Sequence, residues 1–103
     1  MSADIFAALG DPTRRHLYAQ LAAGGPLTAT ALASNLDISR QAVAKHLGIL
    51  ADTGLATAAR AGRETRYQAR TEPLTEVENW IESVQGQWQM RLGALANSLE
   101  QRD

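Results

Sequence analysis

Cysteine is absent from this 103-residue chain. Its absence excludes disulfides, thiolate metal sites, iron–sulfur clusters and a cysteine nucleophile, and is compatible with any compartment. Histidine is scarce, with only His16 and His46 present. No run of about 18 apolar residues occurs, so no membrane-spanning helix is expected. The first ten residues carry no basic cluster and place Asp4 inside their apolar stretch. That makes a poor signal peptide, and the cytoplasm is the expected location. Catalytic constellations are missing too. There is no GxSxG elbow, Gly24-Gly25 lacks the lysine of a phosphate-binding loop, and the Asp11/His16 pair has no nucleophile beside it. Neither an enzyme nor a metal or other cofactor is expected.

What is present suits one globular domain spanning residues 1–103. Apolar residues make up 45% of the chain, enough for a core at this length. The net charge of −1 hides an uneven distribution. Ile38–Arg70 holds six basic residues against two acidic ones, a net +4, while Thr71–Asp103 holds two against six, a net −4. A basic middle and an acidic tail fit a face that binds a polyanion and a face that avoids it.

Local signals divide the chain into helices and a hairpin. Ile5–Leu9 reads as a short helical piece. Asp11-Pro12 is an N-cap followed by a first-turn proline, and Gly24-Gly25-Pro26 ends the helix it opens. Thr28 caps a short helix to about Asn35, with Ala31 and Leu32 inward. After the turn Leu36-Asp37-Ile38, Ser39 caps a helix to about Asp52 in which Val43, Leu47 and Leu50 make one buried stripe. Residues 28–52 thus read as a helix-turn-helix. With Val43 inward, Gln41 and Lys45 point away from the core, Arg40 sits at the exposed N-terminal end and His46 lies on the border.

Leu55–Arg60 and Arg63–Arg70 read as strands around Ala61-Gly62, with Leu55, Thr57 and Ala59 alternating and Tyr67 supporting the second strand. A hairpin here, over about 55–70, is a wing decorated by Arg60, Arg63, Arg66 and Arg70. A final helix over about 73–101 carries Leu74, Val77, Ile81, Val84, Trp88, Leu92, Leu95 and Leu99 as one stripe. A domain this small has little core to cover such a stripe, which points to a partner helix from a second copy. Gly86 and Gly93 interrupt this helix, permitting either close approach or a bend.

The segments Phe6-Ala7-Ala8-Leu9-Gly10-Asp11-Pro12-Thr13-Arg14-Arg15, Leu27-Thr28, Ser39-Arg40-Gln41-Ala42-Val43-Ala44-Lys45-His46-Leu47, and Gly62-Arg63 with Tyr67, taken in that order, closely resemble the ArsR/SmtB family of winged-helix repressors. The resemblance covers nearly the whole chain. It implies a mostly α fold with a small β-hairpin wing, and a homodimer joined through the first and last helices. It also implies binding to double-stranded operator DNA and release by an inducer. Metal-sensing relatives place two cysteines where Thr28 and Thr30 stand, and others use histidines on the last helix, which here has none. The chain therefore resembles a metal-independent branch, and no effector chemistry follows from its residues. The Glu72/Glu76 and Glu78/Glu82 spacings read as a solvated helix face.

On this reading the DNA-contacting residues are Ser39, Arg40, Gln41, Lys45 and His46 on the recognition helix and Arg60, Arg63 and Arg66 on the wing. The recognition-helix residues read bases, and the wing meets phosphates or the minor groove. Arg14 and Arg15 are expected to be structural. Ile81, Val84, Trp88, Leu92, Leu95 and Leu99 form the expected dimer interface, and Trp80 lies on its flank. The functional expectation is a sequence-specific transcriptional repressor acting on an inverted repeat. Two alternatives are a winged-helix protein-interaction module and a non-specific DNA binder. The polar outer face of the recognition helix argues against the first, and the lack of a basic tail against the second.

Overall fold

A computed structural model describes residues 4–101. Residues 1–3 and the tail charges Arg102 and Asp103 lie outside the described residues. The elements run α1 (Ile5–Leu9), α2 (Pro12–Gly24), β1 (Leu27–Thr28), α3 (Ala29–Ala33), α4 (Arg40–Asp52), β2 (Ala56–Ala61), β3 (Glu64–Ala69) and α5 (Leu74–Glu100). They form two compact units, one ending at Pro73 and the other beginning at Leu74.

In the first unit every helix starts on a short polar side chain. Asp4, Asp11, Thr28 and Ser39 accept from the backbone N–H groups of Phe6, Arg14, Ala31 and Ala42 respectively. Each cap satisfies a donor that the first helical turn leaves open. Pro12 follows Asp11 at the first helical position, where its missing N–H costs nothing. Gly25, at φ 78°, takes the chain out of α2 in a conformation L-residues avoid.

The core is aliphatic. Leu17 and Leu21 of α2, Val43, Leu47 and Leu50 of α4, and Leu55 are all buried, joined by Ile5, Ala8, Tyr18, Leu32 and Ala56. The stripe expected on α4 is the observed one. α3 is shorter than its sequence suggests. The helix ends at Ala33 rather than near Asn35, and Ala31 is exposed while Leu32 alone is buried. A helix of barely more than one turn has room for a single inward position.

The wing is part of a three-stranded antiparallel sheet of order β1-β3-β2. β1 pairs Leu27 with Tyr67 and Thr28 with Arg66, an edge strand that sequence patterning did not reveal. The hairpin turn also falls one residue later than Ala61-Gly62. Ala61 pairs with Glu64, so the loop is Gly62-Arg63. Gly62 has φ 66° and no non-glycine residue among those described has positive φ, the pattern of a type II′ turn. Moving the loop by one residue shifts each cross-strand partner by two, so the pairings change while each side chain keeps its face. The inward face carries Ala56, with Tyr67 and Ala69 half-buried on the facing strand, while Thr57 and Ala59 are exposed.

Tyr18 ties α2 to the end of this sheet. Its hydroxyl donates to the Arg70 carbonyl at 2.6 Å, and the Arg70 N–H donates to the Leu55 carbonyl at 2.8 Å. Burial pushes the Tyr18 phenol above its ordinary pKa. Tyr18→Phe is expected to lower stability by about 1 kcal/mol, the net worth of one such bond, read as a lower urea midpoint with unchanged slope.

The second unit is α5, a continuous helix of 27 residues, none of them buried. It runs unbroken through Gly86 and Gly93, and a Cβ added at either position would meet nothing within 4 Å. Glu72 precedes α5, so Glu72/Glu76 is not an i,i+4 pair on one helix.

Candidate nucleic-acid interface

The outer surface of α4 is set by its inner one. With Val43, Leu47 and Leu50 buried, a rotation of about 100° per residue carries Gln41 and Lys45 to the opposite side. Both are exposed, as is Arg40 in the first turn. Arg40 and Ala44 occupy one flank of this face. Ala42, His46 and Ile49 occupy the other, and all three are half-buried.

The Arg40 flank faces the wing. Arg40, Ala44, Thr28, Thr30, Arg63, Glu64, Thr65 and Tyr67 line a cleft of about 600 Å³. Arg40 and Arg63, distant in sequence, thus converge on one space. Three hydroxyl-bearing threonines and a tyrosine accompany them. Thr30, Thr65 and Tyr67 were not among the expected contacts. Their place depends on the pairing of β1 with β3, which a strand of two residues does not advertise.

The cations of this unit fall into two groups. Arg66 pairs with Glu64 at 3.6 Å, Arg70 with Glu72 at 3.4 Å, and Arg60 donates from Nε to the Gly62 carbonyl at 3.4 Å. Arg15 donates to the Leu9 carbonyl at 2.6 Å. The side chains of Arg40, Lys45 and Arg63 make no ion pair or hydrogen bond with any described residue. These three have the strongest claim on an external anion, because no internal partner must be given up.

His46 is engaged on its core side. Arg14 Nη1 lies 3.2 Å from His46 Nδ1. Arg14 also donates from Nε to the Ala8 carbonyl at 2.9 Å and from Nη2 to the Ala7 carbonyl at 3.4 Å. Its backbone N–H caps on Asp11, and that bond holds the Asp11 carboxyl below the ordinary carboxylate range. Arg14 therefore joins α1, α2 and α4, the structural role expected of it. Ser39 spends its hydroxyl on the Ala42 N–H as an exposed cap.

No group of three or more histidine, aspartate or glutamate side chains suited to a metal occurs among the described residues. Among them, no helix is long and apolar enough to cross a membrane.

A helix-turn-helix domain model matches residues 9–57. The HTH-type transcriptional regulator YuzN of Bacillus subtilis strain 168 is 41% identical over 85 residues, covering 76% of this chain and 92% of that protein. The transcriptional repressor SdpR of the same organism is 33% identical over 78 residues, covering 76% of this chain and 86% of that protein. Among solved structures, an ArsR-like transcriptional regulator from Rhodococcus sp. RHA1 superposes with a TM-score of 0.76 at 37% identity, over 95% of this chain and 92% of that one.

Proposed function

Because the chain belongs to the ArsR family of helix-turn-helix transcriptional regulators, we propose that it is a homodimeric repressor that binds an inverted-repeat operator in double-stranded DNA. The carrying observation is the outer face of α4. Gln41 and Lys45 are exposed there, and Arg40, Lys45 and Arg63 have no partner among the described residues. An amide and unpaired cations on a helix that owes its outer face nothing to the core suit a major groove, where every base pair has its own pattern of donors and acceptors. Residues 28–52 serve as the helix-turn-helix, 55–70 as the wing and 73–101 as the dimerisation helix of one functional domain. Ser39, Arg40, Gln41, Lys45 and His46 contact DNA from α4, and Arg60, Arg63 and Arg66 from the wing. Ser39 does so through the helix start that it caps.

The second copy is the occupant of the apolar stripe on α5. Ile81, Val84, Trp88, Leu92, Leu95 and Leu99 all remain exposed within one chain. Pairing through α5 and α1 makes the two recognition helices symmetric, which calls for half-sites about one helical turn, or a small multiple, apart. No reaction is assigned to the chain.

Selection of bound duplexes from a random pool tests the reading. An inverted repeat is expected. Gln41→Ala should then cost about 1–3 kcal/mol on the selected sequence and little on random DNA. Recovery of no common sequence would overturn sequence-specific binding, and a direct-repeat consensus would overturn the twofold arrangement.

A further inference from the structure

The Arg14–His46 contact lies outside the fully buried stripe of Val43, Leu47 and Leu50 that packs α4. The contact does fix the chemistry of the imidazole. A guanidinium has donors only, so across the 3.2 Å between Nη1 and Nδ1 the arginine donates and Nδ1 accepts. In the neutral ring the proton then resides on Nε2. No described residue bonds to Nε2. No buried side-chain nitrogen among the described residues lacks a partner, so Nε2 reaches the surface. The arginine is itself held in place. Carbonyls of Ala7 and Ala8 receive its Nη2 and Nε, and its side chain is only 15% exposed.

We propose that Arg14 is a positioning residue for DNA binding. It holds His46 in the Nε2–H tautomer and thereby presents a hydrogen-bond donor to a backbone phosphate on the flank of α4 opposite the wing. The other tautomer would turn a lone pair toward the phosphate and repel it. The flank position favours a phosphate over a base edge, because His46 lies roughly 120° around the helix from its outward direction. The inference rests on the DNA-binding reading above and adds to it a residue that need not touch DNA.

The tautomer is read in the free protein by long-range ¹H–¹⁵N correlation at pH about 8.5, some two units above the ordinary imidazole value. Nε2 protonated and Nδ1 bare is the expected result. A proton on Nδ1 overturns the inference whether or not any variant folds. On random duplex, His46→Gln keeps a donor near the Nε2 position and is expected to bind within about threefold of the parent. His46→Ala should lose about tenfold per copy of the dimer, a typical loss for one charge-assisted hydrogen bond. Arg14→Gln should lose about tenfold per copy with His46 in place and less than about threefold per copy beside His46→Gln, whereas a purely packing role costs the same in both backgrounds. Equal losses overturn the inference. Should His46→Ala bind normally while Gln41→Ala weakens the selected sequence, the positioning role fails and the DNA reading stands. If neither variant loses affinity, both fail.

Discussion

Trp88→Ala is expected to weaken self-association by about 5 kcal/mol, roughly a thousandfold or more in the dimer dissociation constant. Trp88 is 55% exposed within one chain, at the middle of the α5 stripe. A tryptophan buries about 250 Å² when fully covered. About half of that remains to be covered, which at about 25 cal/mol per Å² is worth roughly 2–3 kcal/mol per copy. Twofold symmetry doubles it, because each dimer loses two side chains. Met90 provides the control. It is more exposed, at 76%, yet it lies about 200° around the helix from Trp88, off the stripe. Met90→Ala should leave the dissociation constant nearly unchanged. Sedimentation equilibrium over a range of loading concentrations reads both variants. Equal effects would mean that exposure alone, and not the stripe, governs association.

The helical part of this fold is written locally, and that is why it can be read from the chain. Asp11-Pro12, Thr28 and Ser39 start helices by satisfying backbone donors within three residues, and all three are observed caps. The α4 stripe needs only its own spacing. The sheet is different. Leu27-Thr28 becomes a strand because Tyr67 and Arg66 lie alongside it, a pairing across some forty positions that two residues cannot encode. The hairpin register turned on whether Gly62 opens the loop or closes it, and the strand between Leu55 and Arg60 is mostly small residues with no strong alternation to decide. The outer residues of α4 were legible because they follow from the inner ones. Which wing arginine is available was not, since that depends on Glu64 pairing with Arg66 rather than with Arg63. Arg14 shows the same limit. Its role could be anticipated from its position beside a cap, but its contact with His46 joins residues 32 positions apart.

That difference among the wing arginines carries the second large effect. Arg63→Ala should weaken binding about a hundredfold at 0.1 M salt, on operator and random duplex alike. Removing one phosphate interaction from each copy takes roughly 1.8 units from the slope of log K against log salt for the dimer, and costs about tenfold per phosphate at that concentration. Arg63 sits in the turn, lines the cleft with Arg40 and has no internal partner. Arg66→Ala should cost much less, because Glu64 at 3.6 Å already offsets its charge. Arg60→Ala should fall between them, since the Gly62 carbonyl engages its Nε and leaves its charge intact. Glu64 lines the cleft as well as pairing with Arg66, so Glu64→Ala is expected to act in the opposite direction, raising both the affinity and the salt slope. Titrations of all four variants at several salt concentrations decide the order. A loss for Arg63→Ala confined to the operator would make that side chain a base reader. Equal losses for Arg63→Ala and Arg66→Ala would mean that DNA breaks the Glu64 pair, and the unpaired cations would then lose their claim to the phosphates.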